Sequence, residues 1–185
     1  MPHDPVLQCD PRCPVWHHQR AADFPALAQA GYLPLLPVYG LVRRSGGLPL
    51  HWEEQQAEAF LTQALTGLPA AEKLLRLPPF RHVPAQQRGA CFCVPLTLGW
   101  QWIAEVIQGV AASGFRHVLV VHANPLLADW LDTVLRDARV ATGIQPLRLG
   151  LDGVGLQLDA SPLPPVAPLQ ALLTACVQTA GRSAA

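Results

Sequence analysis

The sequence predicts an α/β fold, a three-layer sandwich in which a mostly parallel sheet is flanked by helices on both faces. Three observations predict it. Segments with strand character alternate with segments of helical periodicity, which is typical of βαβ units. Residues 118–121 read Val-Leu-Val-Val without a polar interruption, as expected for a strand that is covered on both faces. The length of 185 residues, half of them hydrophobic, suits one compact domain.

Five segments have the spacing of amphipathic helices. The first and third are followed by Gly31 and Gly114, in the position where glycine commonly ends a helix. In the second, an acidic first turn precedes an apolar stripe that includes Phe60. In the third, Trp102 and Ile103 are expected to face inward. The predicted helices span residues 21–30, 53–65, 100–112, 126–140 and 168–180.

Five short segments between or beside these helices favour β-structure. They span residues 32–38, 73–77, 118–121, 145–149 and 154–158. Prolines fall mainly at the ends of segments, because proline lacks the N–H donor that a central strand needs. Ligands of parallel α/β sheets bind beyond the carboxyl ends of the strands. We therefore expect a site in the loops after Val38, Leu77 and Val121.

Composition argues against several classes of partner. Thirteen basic residues balance 13 acidic ones, and the longest basic run is the pair Arg43 and Arg44, so neither nucleic acid nor an anionic membrane surface is an expected partner. No uncharged apolar run approaches the roughly 20 residues that span a bilayer, and the N-terminus lacks the pattern of a signal peptide. We expect a cytoplasmic protein with reduced cysteines, an N-terminal arm over residues 1–16 and a single domain over residues 17–185.

Three motifs occur in the order found in one enzyme family. Residues 37–53 begin with Pro-Val, contain Leu48-Pro-Leu and end in Glu53; residues 92–98 keep a Phe and a final Leu; and Gly114-Phe-Arg-His precedes the strand 118–121. In this order and spacing the sequence resembles the creatininase (creatinine amidohydrolase) family over roughly residues 17–160. The resemblance implies a creatininase-like fold.

The same resemblance implies that the family's two-metal site is lost. Family members bind two divalent metals at five positions, which correspond here to Val42, Arg44, Glu53, Asn124 and Leu126. Valine and leucine have no lone pairs, and arginine carries a permanent positive charge, so only the carboxylate of Glu53 remains a good ligand. No cofactor is therefore expected.

Two other uses of the same loops remain open. Glu53, His122 and Asp152, with His51 as another candidate, could bind a single zinc, manganese or iron ion in a rebuilt site. Alternatively the old pocket, including Arg44, Glu53, His122 and Asn124, could bind a small molecule, with Arg44 holding an anionic group.

Cysteine and histidine also cluster away from these loops. Cys9, Cys13 and His17, next to His18, could hold zinc, although ordinary cysteines in an irregular arm are the stronger expectation. The thiols of Cys91 and Cys93 would share one side of a strand, where buried packing is favoured over metal or redox chemistry.

The leading hypothesis for function is a non-catalytic, creatininase-like subunit. It would bind a protein partner, either as a homo-oligomer or as a hetero-oligomer with an enzyme subunit such as an active paralogue. The alternatives are a metal-dependent amidohydrolase that cleaves a C–N bond of a cyclic amide, and a small-molecule binding module.

Overall fold

The part of the chain that the structure describes is built around a four-stranded sheet. The computed structural model describes residues 13–40, 49, 51–81, 94–158 and 162–182. The strands are β1 (Leu33–Val38), β2 (Leu74–Arg76), β3 (His117–His122) and β4 (Gln145–Gly150), in the spatial order β2-β1-β3-β4. Every pair of neighbours is parallel. The carboxyl ends of all four strands therefore lie along one edge, which we call the carboxyl edge.

In the described ranges, five α-helices precede, connect or follow these strands. They are α1 (Phe24–Gln29), α2 (Trp52–Leu65), α3 (Leu96–Ala112), α4 (Ala128–Thr142) and α5 (Ala167–Arg182). Several short 3-10 turns lie between them, including Pro125–Leu127 after β3 and Asp152–Val154 after β4. None of the helices in the described part of the chain is long and apolar enough to cross a membrane.

Two hydrophobic cores lie on opposite faces of the sheet. Because side chains alternate along a strand, Leu35 enters one core and Leu36 the other. The first core is covered by α2 and α5, and the second by α3 and α4 with a contribution from α1. Helices on both faces of a parallel sheet confirm the predicted three-layer α/β class.

The fifth predicted strand, at residues 154–158, is wrong. The chain forms the 3-10 turn Asp152–Val154 there, and residues 155–158 are not in a strand. Gly155 has a φ of +96°, a left-handed conformation that interrupts an extended segment. Leu156 and Leu158 are nevertheless buried in the first core. Their alternating pattern thus reflects burial of a folded loop rather than strand pairing.

Helix α3 also differs from its prediction. It begins at Leu96, four residues before the predicted start, directly after Pro95. Ile103 is fully buried as expected, whereas the prediction that Trp102 faces inward is wrong, because 45% of it is exposed. Neighbouring residues on a helix are rotated by about 100°, so the stripe centred on Ile103 leaves Trp102 at its outer margin.

The last residues of the predicted N-terminal arm join the edge of the sheet. Val15 forms a parallel bridge to Arg76, whose backbone N–H donates to the carbonyl of Pro14 at 2.9 Å. The Cys13 thiol is buried and donates to the carbonyl of Leu74 at 3.7 Å. This segment therefore shields the open side of β2.

Candidate functional site

The strand order places a crevice at the carboxyl edge between β1 and β3. From β1 the chain passes to β2 on one side and then crosses to β3 on the other, so the direction of winding reverses between β1 and β3. Ligands of open α/β sheets bind at such reversals. Val38 and His122 are register partners there, and His122 is in turn the partner of Gly150. The candidate site comprises the residues around these three strand ends.

Glu53 joins the start of α2 to the end of β1. It lies in the first helical turn, where the helix dipole favours a negative charge, and only 1% of it is exposed. Its Oε1 accepts a hydrogen bond at 3.0 Å from the backbone N–H of Gly40, two residues after β1. The carboxylate that the family resemblance assigns to a metal therefore binds the backbone of this loop.

His122 ends β3, and partners bind both of its ring nitrogens. Nδ1 lies 3.0 Å from the backbone carbonyl of Asn124, and Nε2 lies 2.9 Å from Nη1 of Arg148. A carbonyl can only accept and a guanidinium can only donate, so Nδ1 carries the proton and Nε2 accepts. Burial lowers the pKa of His122, and the charge of Arg148 acts in the same direction. This imidazole is therefore held in its neutral form.

Arg148 connects the end of β3 to helix α4. Its side chain leaves β4 on the face covered by α4, where Nε donates to Oδ1 of Asp132 at 2.6 Å. His122, Arg148 and Asp132 thus form a continuous row across two strands and a helix. Sequence reasoning missed Arg148, although a lone charged residue in the segment Pro146-Leu-Arg-Leu149 is a signal that could have identified it.

Asp152 and His122 meet at Gly150. A Cβ atom added at Gly150 would lie 2.6 Å from Oδ1 of Asp152 and 3.2 Å from Nε2 of His122. Glycine at this position therefore lets a carboxylate and an imidazole approach the same piece of backbone. Asp152 is exposed to solvent, whereas His122 is buried.

Asn124 stabilises the loop after β3. Its Oδ1 accepts from the backbone N–H of Leu126 at 3.0 Å, which caps the short turn Pro125–Leu127. The residue is buried. Asn124 therefore has a structural role here, and its predicted part in binding a small molecule stays a prediction.

The donor groups at this edge do not fit the rebuilt single-metal site of Glu53, His122 and Asp152 that the sequence left open. Within the described ranges, no three His, Cys, Asp or Glu side chains are grouped so that they could hold a metal ion, and Glu53, His122 and Asp152 all lie in those ranges. Nε2 of His122 already accepts from a guanidinium. A divalent ion would have to displace that permanent positive charge.

Several predicted site residues lie outside the described residues or away from this edge. Arg44 in the old pocket, Cys9 in the N-terminal cluster and the pair Cys91 and Cys93 fall outside the described ranges. Of that N-terminal cluster, Cys13 is buried against the backbone of β2, and His17 is exposed in a 3-10 turn.

A second polar cluster, which the sequence did not predict, lies beneath α2. Glu54 forms a bidentate pair with Arg81, at 2.8 and 3.0 Å from Nε, and Glu58 pairs with Arg76 at the end of β2. Tyr39 is fully buried near these charges, and its burial raises the pKa of its hydroxyl. The ion pairs fasten α2 to the β2 side of the sheet.

A cleft with a cavity volume of about 230 Å³ opens at the opposite, amino edge of the sheet. Its walls include Gln29, Tyr32, Arg116 and His117. This cleft is distant from the carboxyl ends of the strands, where the row containing His122 lies. The cleft is therefore not the site that the strand order indicates.

Comparison with known proteins identifies the architecture. The sequence matches no family model and no curated protein. Among solved structures, a mutant creatininase complexed with creatine matches with a TM-score of 0.56 at 15% identity, covering 77% of this chain and 60% of that one. A mutant creatininase of the Zn-Zn type matches with 0.55 at 18%, covering 76% and 59%. Creatininase with Mn matches with 0.55 at 17%, covering 74% and 57%.

These matches establish the fold. The chain spans 57 to 60% of the length of these three structures. At such low sequence identities, structural similarity supports the fold and not an activity. The three sequence motifs and the structural likeness agree on one architecture. The chain therefore has a creatininase-like fold.

Proposed function

We propose that this chain is a non-catalytic, creatininase-like subunit that binds another protein through the start of helix α3. The observation that carries the proposal is an exposed apolar surface formed by Leu98 and Trp102, which we call the α3 surface. These side chains are 47% and 45% exposed. Tryptophan is enriched in protein interfaces, where it contributes much of the binding energy.

The geometry of the α3 surface suits a protein contact. Leu98 and Trp102 are four residues apart and so lie on the same side of the helix. The ring of Trp102 packs edge-on against Phe80, with the ring centroids 5.4 Å apart, which limits its rotation. An ordered aromatic side chain loses little conformational entropy when a partner covers it.

The polar residues of the carboxyl edge support a non-catalytic role. Glu53 binds the backbone of Gly40, and both nitrogens of His122 are bound within the chain. Groups that would serve as metal ligands or as a general base in a hydrolase therefore serve here to join secondary structure elements. The competing proposal is a metal-dependent amidohydrolase that acts on a cyclic amide. To bind a metal through Nε2, His122 would first have to release the guanidinium of Arg148.

Sedimentation velocity tests the proposal. We expect the full chain to sediment as an oligomer, or to join a complex of defined mass with a creatininase-family enzyme from its own genome. The double change Leu98→Asp and Trp102→Asp should abolish that association. Val140→Asp is the matched control, because Val140 is an apolar side chain on α4 that is 83% exposed.

A chain that sediments as a monomer, both alone and in the presence of the creatininase-family enzyme, would contradict the proposal. So would a Val140→Asp control that lost as much association as the double variant. Metal analysis separates the hydrolase alternative. Protein purified without chelator that contained a full equivalent of zinc, manganese or iron, and cleaved a cyclic amide, would establish that alternative instead.

A further inference from the structure

We infer that the cleft at the amino edge of the sheet binds a small molecule through a carboxylate or phosphate group, with Arg116 as the main contact. The cleft has a volume of about 230 Å³, which is smaller than the pockets that hold drug-sized ligands. It lies beside Gly114, just after the end of α3, whereas the α3 surface lies at the start of that helix. The inference therefore goes beyond the proposed subunit function and does not depend on it.

The walls of the cleft come from both helical layers. Gln29 ends α1 on one face of the sheet, and Ala180 lies in the last turn of α5 on the other face. Gly31, which also lines the cleft, has a φ of +75°, and a Cβ atom added there would meet no heavy atom within 4 Å. The backbone after α1 is therefore open to a ligand.

The charge in the wall of the cleft is positive. Arg116 lines the cleft, and none of the described residues that line it is acidic. A second cation, Lys73, lies over the ring of Tyr32, another wall residue, with Nζ 4.9 Å from the ring centroid. Positive charge in a cleft raises the local concentration of anions and their rate of association. The ligand is therefore expected to be an anion.

Arg116 and His117 are adjacent in the wall and can donate hydrogen bonds to an oxyanion. A guanidinium carries five N–H donors in a planar fork, so Arg116 can bind two oxygens of a carboxylate or phosphate and still keep another partner. His117 is only 7% exposed. Burial lowers the pKa of His117, and the nearby charge of Arg116 acts in the same direction. The imidazole is therefore neutral near pH 7 and offers one N–H donor.

The remaining polar groups of the wall suit the rest of such a ligand. Tyr32 supplies a hydroxyl and Gln29 an amide, and each of these groups can both donate and accept hydrogen bonds. The expected ligand class is therefore a small carboxylic acid or phosphate ester that carries further polar groups.

Thermal unfolding and NMR titration of the full chain with inorganic phosphate and with succinate test the inference. Sodium chloride at the same ionic strength is the control for screening. We expect at least one of the two anions to raise Tm, because a ligand that binds only the folded state stabilises it, and to shift the amide signals of Arg116 and His117. Binding of phosphate alone would assign a phosphoryl group to the ligand, and binding of succinate alone a carboxylate.

Substitutions of Arg116, an exposed residue, test its role. Arg116→Met should weaken anion binding by at least about tenfold, because it removes charge-assisted hydrogen bonds. Arg116→Lys keeps the charge but not the planar fork, so it should bind with intermediate affinity, and it serves as the second variant if the methionine form fails to fold. Arg136→Met is the matched control, since Arg136 is 71% exposed on α4 and does not line the cleft. It should leave the affinity unchanged.

Two results would overturn the inference. One is that neither phosphate nor succinate shifts the signals of Arg116 and His117 more than sodium chloride does. The other is equal affinity in the unchanged protein and in a folded Arg116 variant, because the anion would then be held elsewhere.

Discussion

Loss of the carboxylate at Glu58 should destabilise the protein strongly. Glu58 on α2 forms an ion pair with Arg76 at the end of β2, and the side chains are only 13% and 10% exposed. The change Glu58→Gln keeps the size and helix propensity of the side chain but removes its charge. The guanidinium of Arg76 then remains buried without this compensating carboxylate.

The size of the effect follows from burial. Breaking one partner of a buried ion pair costs about 3–5 kcal/mol, whereas an exposed pair contributes about 0–1 kcal/mol. Because both side chains are nearly buried, we expect about 3 kcal/mol for Glu58→Gln. For a domain of this length, each kcal/mol lowers Tm by about 2–4 °C, so Tm should fall by about 6–12 °C.

Urea and thermal unfolding at pH 7 measure this loss. The control is Glu105→Gln, an exposed position on α3, where we expect a change within about 0.5 kcal/mol. Combining Glu58→Gln with Arg76→Met should recover most of the loss, because the buried guanidinium whose ion pair with Glu58 was broken is removed as well. A loss below about 1 kcal/mol for Glu58→Gln alone would refute the reasoning.

Three further predictions concern pH, backbone conformation and the loop after β3. Burial lowers the pKa of His117 and His122, so folding favours their neutral forms. The free energy of unfolding, measured by urea titration, should therefore be highest above their ordinary pKa of 6.5 and should decrease as the pH drops below that value. The decrease should be less steep in His122→Gln. A pH-independent midpoint between pH 7.5 and 5 would contradict this. Gly143 ends α4 with a φ of +74°, so Gly143→Ala should lower stability by about 1 kcal/mol. Gly109→Ala inside α3 should instead raise stability, because an added Cβ would meet nothing within 4 Å. A change in stability of the same sign in both variants would count against the argument. Asn124→Ala should lower stability by about 1 kcal/mol because it removes the cap, whereas Asn124→Asp should retain most of the stability that the cap provides. Equal losses of stability in the two variants, measured by thermal unfolding, would show that the cap hydrogen bond is not the cause.

The layered fold could be predicted from the sequence because its signals are local. The run 118–121 is apolar on both faces, and Phe60 belongs to a stripe with helical spacing, so each segment indicates its own burial. The segment 154–158 shows the limit of this approach. Its alternating apolar residues are buried as predicted, but Gly155 turns the backbone away from an extended conformation.

The candidate site was predicted less completely. The sequence by itself predicted, through its resemblance to the creatininase family, that Val42, Arg44 and Leu126 stand in place of metal ligands, and it predicted the edge of the sheet where a site would lie. Only the tertiary structure decided what His122 does. Its partner Arg148 is 26 residues away in the sequence, and the parallel register of β3 and β4 brings the two together. Hydrogen-bond partners across a sheet depend on that register, which is set when two separate strands pair and cannot be read from either segment alone.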